Sequence, residues 1–202
     1  MIARALTARA ISLQYRHLPG EHEKTLTALV DELLTDPSPD TRLFAACLLH
    51  ATPYGALLAD AIGVELGRAS VLRDPHSAVP LLDALRFLGG ERHRPLVERL
   101  ILAHGLPTSI SAAASHHLGH VGERSNHSFW AQALSSHLNR WATTRSDSDA
   151  AVLRDLVYAL GRARETRFLE RLRLDTRFPS AARAAAAWWY AIPDTVYESA
   201  NQ

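Results

Sequence analysis

Cysteine is all but missing from this 202-residue chain. Cys47 stands alone in the apolar run Leu43-Phe44-Ala45-Ala46-Cys47-Leu48-Leu49, which excludes an intramolecular disulfide and a cysteine-based zinc site, and fits a reducing compartment. Lysine is just as scarce. Lys24 is the only one, so the basic charge is arginine, and together with abundant alanine this is the composition of GC-rich, bacterial coding sequence. A lone arginine is therefore no sign of function. Neither sign of charge is in excess: 22 basic residues face 21 acidic ones, for a net charge of +1, which excludes a basic nucleic-acid arm or an acidic tail as the organising feature. No run approaches the roughly 18 apolar residues of a membrane span. Near the start, Arg4, Arg9 and Gln14 interrupt every apolar stretch, so no signal peptide is expected and a cytoplasmic location is. There is no Gly-x-Ser-x-Gly elbow and no glycine-rich phosphate loop, and Cys47 is expected to be buried and inert, so no catalytic residue and no cofactor are predicted.

What the chain does have is rhythm. Between residues 40 and 192, apolar residues recur at helical spacing, and Pro, Gly or Asp/Ser clusters break the pattern every ten to eighteen residues. Helices joined by loops this short lie antiparallel. Asp36-Pro37-Ser38-Pro39-Asp40 is a turn and N-cap cluster leading into a helix from Asp40 to Ala51, and Pro53 separates it from a second, Tyr54 to Leu66. The same pattern then returns three times. Ser77 to Leu88 and Pro95 to Ala103 flank Gly89-Gly90; Thr108 to Leu118 and Ser128 to Trp141 flank a turn near Gly122; Ala150 to Leu160 and Thr166 to Leu174 flank a turn at Gly161. A last helix follows Pro179-Ser180. Leu48, Leu85, Leu118 and Leu160 mark the repeat, with spacings of 37, 33 and 42 residues. Ile2 to Arg16 and Glu21 to Leu34, around Pro19-Gly20, add an N-terminal pair.

Asp36-Pro37-Ser38-Pro39-Asp40-Thr41-Arg42-Leu43-Phe44-Ala45-Ala46 resembles the opening of a HEAT repeat, in which an Asp-Pro turn leads into a helix carrying an arginine and small residues. Leu156-Val157-Tyr158-Ala159-Leu160-Gly161-Arg162 resembles the end of a first HEAT helix, and Pro179-Ser180-Ala181-Ala182-Arg183 resembles another opening. The resemblance covers residues 25 to 192. It implies an all-α fold: an α-solenoid of about five antiparallel helix pairs, a HEAT-like superhelix in which stacked pairs share one continuous core. One domain is expected, with a helix pair over 1–36, central repeats over 37–178 and a capping helix and tail over 179–202.

Such folds serve scaffolds, regulators and a few enzymes, so function has to be read from particular residues. Eleven histidines are many for this length. His116 and His120 stand one helical turn apart and Glu123 follows, which makes these three the weak candidates for a metal site in a chain otherwise predicted to hold none. HEAT-like hydroxylases of a modified lysine hold two irons on paired His-Glu dipeptides; here His22-Glu23 has no partner pair. HEAT-like alkylpurine DNA glycosylases use tryptophans with an acidic residue; Trp188, Trp189 and Asp194 come late, without the expected cluster in a middle repeat. Trp188 and Trp189 diverge by about 100° on a helix, so one of them should reach the surface.

The remaining signal is arginine. From Arg140 to Arg183 ten arginines face six acidic residues. Arg164, Arg167 and Arg171 would form a stripe on a helix that begins by Arg164, and with Arg162 they are the predicted contacts to an acidic partner surface or to phosphates. The expected function is a non-catalytic scaffold presenting the inner face of its second helices to a protein partner, with regulation as its role. The alternative is a nucleic-acid-binding solenoid, either an accessory to a transcription regulator or glycosylase-like, using the same C-terminal arginines.

Overall fold

The computed structural model describes residues 55–88, 91–121 and 127–192, together with Ala28, Glu32, Asp36, Ser38 and Thr41. Every regular element among the described residues is helical, and packed helix pairs recur along them. None of these helices is long and apolar enough to cross a membrane. Apart from the helical positions Ala28 and Glu32, the predicted N-terminal pair lies outside the described residues, as do Cys47 and Gly89-Gly90. The Asp36 turn is partly visible. Its Oδ1 accepts the Ser38 N–H at 2.9 Å, and Ser38 Oγ accepts the N–H of the buried, helical Thr41 at 3.4 Å, an N-cap bond.

The chain forms two compact units, Met1–Leu96 and Val97–Gln202. In the first, α1 (Gly55–Glu65) and the short α2 (Ala69–Arg73) both pack on α3 (Pro75–Leu88), and a 3₁₀ turn follows at Glu91–His93. Ile62, Leu66, Leu82 and Leu85 are the largest fully buried side chains among its described residues. The sequence pattern missed α2, whose five residues are too few to show a period. Asp74 explains why α3 begins early, at Pro75: its Oδ1 accepts the His76 N–H at 3.1 Å and its Oδ2 the Ser77 hydroxyl at 2.6 Å, while the ring of Pro75 occupies a first-turn position that has no N–H to satisfy.

The unit boundary falls within α4 (Arg94–Leu102). Beyond it come α5 (Thr108–Val121), α6 (His127–Thr144), α7 (Asp147–Arg162), α8 (Thr166–Leu174) and α9 (Ser180–Ala191). Helix α7 packs against α5, α6, α8 and α9 and is the axis of the second unit. Val152, Leu153, Leu156, Val157 and Leu160 repeat at i, i+1, i+4, i+5 and i+8 and are all fully buried. Each contributes about 1.5–3 kcal/mol by leaving water. Truncating Leu156 to alanine would cost about 2–5 kcal/mol, because so dense a centre cannot collapse around the hole.

Both ends of α7 are closed by identifiable bonds. Ser146 Oγ accepts the Asp149 N–H at 3.2 Å, and Asp147 and Asp149 face the positive end of the helix dipole. At the other end, Glu165 N–H reaches Leu160 O at 3.0 Å and Arg164 N–H reaches Gly161 O at 3.1 Å, with Arg164 in the left-handed region at φ 57°. This is a Schellman cap, and arginine stands where glycine is usual. The expected turn at Gly161 is therefore corrected. Gly161 lies inside the last turn of α7, and the chain reverses three residues later.

Candidate functional site

The predicted arginine stripe is also corrected, for the same reason. Helix α8 begins at Thr166, so Arg164 precedes it and cannot continue the helical row of Arg167 and Arg171. Arg164 and Arg167 meet in another way. With Thr166, Glu170 and Tyr190 they line a cleft of about 430 Å³ between the α7–α8 turn and the end of α9. Arg173 on α8 places its guanidinium 4.6 Å from the ring centre of Tyr190, orienting that ring by a cation–π contact. Trp188, one position before the half-buried Trp189, is 60% exposed, as the divergence of adjacent helical positions requires. Arg162 points elsewhere, its Nε donating to Gly119 O on α5 at 3.3 Å. Arg171 lines a separate cleft with Leu134, Phe168, Asp175 and Arg177.

His116 and His120 do share a face of α5, with ring centres 5.1 Å apart and planes inclined by 32°. Glu123 lies outside the described residues. Among the described residues no group of three or more His, Cys, Asp or Glu is placed to hold a metal ion. The two imidazoles instead join an aromatic cluster. Tyr158 of α7 stands 5.2 Å from His116, edge-on at 84°, and 6.2 Å from His120; Trp189 of α9 stands 5.8 Å from Tyr158 at 66°.

Two glycines seat this cluster. A Cβ on Gly119 would lie 2.5 Å from Tyr158 Cε1, and one on Gly161 would fall 2.6 Å from Trp189 Cε2, inside the indole's own volume. Any side chain at either position would displace a ring. Asp155 sits beside them. Arg154 Nε and Nη2 both donate to its Oδ1, at 3.2 and 3.1 Å. Burial pushes the Asp155 carboxyl above the ordinary carboxylate range, against the opposing pull of Arg154 and His116. Tyr158, Asp155 and both glycine seats escaped the sequence reading. Gly119 and Gly161 looked like helix ends, and the one available clue was that both lie beside helical segments rich in apolar residues.

A cleft of about 730 Å³ includes His104, Gln132, Ser135, Asn139, Arg140 and Thr143 in its lining. Its wall also carries His137, whose ring is held in place: Nε2 lies 2.8 Å from Ile101 O, and since a carbonyl only accepts, Nε2 carries the proton. Burial lowers the pKa of His137, so it is neutral near pH 7. Beside it, Asp149 is 3% exposed. Its Oδ2 accepts Thr144 Oγ1 at 2.5 Å and Ser146 Oγ at 2.8 Å, and its Oδ1 forms an ion pair with Arg140 Nε at 2.8 Å. Burial raises its pKa, but the two hydroxyls and the Arg140 charge outweigh that and hold the carboxyl below its usual range. Such a network fastens α6 to α7.

Compared with known proteins, the chain matches no family model, no curated protein and no solved structure.

Proposed function

We propose that the chain is a non-catalytic HEAT-like repeat scaffold whose C-terminal unit docks an acidic segment of a protein partner in the cleft of Arg164 and Arg167. The observation that carries this reading is the Schellman cap of α7. Its left-handed position favours glycine on steric grounds, and a side chain there costs on the order of 1 kcal/mol. Here it holds an arginine that lines the same cleft as a second arginine and the ring of Tyr190. Arginine, tyrosine and tryptophan are the residues that most often anchor protein interfaces, and a cationic cleft selects a partner by sign of charge. Solenoid stacking would extend this surface along neighbouring helix pairs.

A polyglutamate peptide measures this directly. It should bind the wild-type protein, and the double charge reversal Arg164→Glu/Arg167→Glu should abolish binding with the fold intact by circular dichroism. Equal binding by the variant refutes the cleft. A second reading, nucleic-acid binding, draws support from the exposed rings of Trp188 and Tyr190, the latter against Arg173, a pairing suited to stacked bases. It is favoured instead if single-stranded DNA binds more tightly than polyglutamate, with affinity falling steeply with salt.

A further inference from the structure

We infer that the cavity between α5, α7 and α9 is an aromatic cage for a methylated ammonium group. Its volume is about 310 Å³, and its lining is His116, Arg154, Asp155, Tyr158, Ala185 and Trp189. That is room for about ten waters, enough for a trimethylammonium head and part of its chain. Three of the six lining residues are aromatic, and each ring is steep to its neighbour: His116 to Tyr158 at 84°, Tyr158 to Trp189 at 66°. Steeply inclined rings confront a cavity from different directions, the arrangement that surrounds a soft cation with π-density. A single stacking surface for a flat ligand would need parallel rings.

Two further features separate this cavity from ordinary packing. The rings are fixed before any ligand arrives, since the glycine at 161 lets the indole lie against the α7 backbone and the glycine at 119 admits the tyrosine edge. Preorganised rings spare a ligand the cost of ordering them. The rim also carries one carboxylate. Both bonds from Arg154 go to Asp155 Oδ1, and neither uses Oδ2. Arg154 itself is 57% exposed and, among the described residues, is paired with its sequence neighbour, an interaction weak enough for a ligand to displace. Methylation suits the ligand to the site, because a methylated ammonium is poorly hydrated and gives up little on entering apolar walls. The cage does not use the Arg164 and Arg167 cleft and stands without it.

Isothermal titration with choline, against its neutral isostere 3,3-dimethylbutanol, is the test. Choline should bind at least about fivefold more tightly, since only the charged head gains from the rings and Asp155. Trp189→Leu should weaken choline at least about tenfold. Because that substitution also touches packing, two further variants supply the control. Asp155→Asn should weaken binding several-fold and Arg154→Gln should strengthen it, opposite signs that loss of fold does not produce. Arg164→Glu/Arg167→Glu should leave choline binding unchanged, so failure of the polyglutamate test and failure of the cage are told apart. A trimethyl-lysine peptide binding at least about tenfold more tightly than choline identifies a protein side chain as the source of the head group, and the reverse order identifies a free metabolite. Absence of choline binding, equal binding of the neutral isostere, or indifference to both Asp155→Asn and Arg154→Gln would overturn the inference.

Discussion

Asp149 and Asp155 stand less than two turns apart on α7, both withdrawn from solvent, and their carboxyls are displaced in opposite directions. Asp149 closes the N-terminal end of the helix, where two hydroxyls and a guanidinium overcome the cost of its burial. Asp155 lies midway along the helix beside three aromatic rings, with one exposed arginine on one of its oxygens. The first environment spends its charge on the fold. The second keeps a charge available to something that is not part of the fold.

The two substitutions Asp149→Ala and Asp155→Ala should break the comparison most visibly. Removing Asp149 takes the acceptor from Thr144, Ser146 and Arg140 together and should cost about 3 kcal/mol in urea unfolding. Removing Asp155 should change stability by no more than about 0.5 kcal/mol, since burial already works against its charged form. Equal losses would erase the distinction between a structural carboxylate and a functional one.

The glycines sharpen the same contrast at the next level of effect. Gly161→Ala should cost about 2–3 kcal/mol, because the new methyl meets the indole and the α7 backbone beneath it cannot retreat. Gly119→Ala meets the edge of Tyr158 and should cost less. Gly105 is the reference. It has open space around it but a φ of 82°, so Gly105→Ala should show backbone strain alone, about 1 kcal/mol. Thermal unfolding of the three variants should rank them in that order.

Acid acts on the buried histidine beside Asp149. His137 has a folded-state pKa below 6.5, so the unfolded chain binds the proton more readily. Stability is then full above pH 6.5 and falls as pH drops below it, by up to about 1.4 kcal/mol per unit until the folded value is passed. His93 in the first unit is also lowered, by burial and by the Arg92 charge, and adds in the same sense. His137→Gln keeps a donor for Ile101 O and should flatten part of the acid-side decline in a stability profile from pH 7 to pH 5.

How far these regions could be read from the chain differs for the same physical reason. Helices were legible where burial repeats: Thr166–Leu174 was delimited to the residue, and α3 to α7 to within a few. The helix starts after Asp74 and Ser146 were placed a few residues late, because the capping side chains add a first turn that carries no apolar period, and the end at Arg164 was illegible because the backbone makes it against type. The site was harder still. His116 and His120 were visible as a pair one turn apart, but their real neighbours, Tyr158 and Trp189, come from two other helices about 40 and 70 residues on. Glycine misled for a simple reason. Within a helix it reports a close neighbour as readily as an end, and only the packing of α5, α7 and α9 shows which.

Two arginines in left-handed backbone give the smallest and most discriminating comparison. Arg145 and Arg164 close α6 and α7 at φ 51° and 57°. Glycine at either place relieves a strain of about 1 kcal/mol, offset in part by the greater freedom glycine gives the unfolded chain. At Arg145 the exchange also removes a guanidinium stacked 4.2 Å over Trp141, so Arg145→Gly should leave stability within about 0.3 kcal/mol of wild type. At Arg164 the side chain serves the cleft, so Arg164→Gly should gain about 0.5 kcal/mol while weakening polyglutamate several-fold. A variant that is both more stable and poorer at binding marks a residue kept for its partner. If Arg164→Gly loses stability and binds as before, the arginine belongs to the fold, and the cleft loses its strongest support.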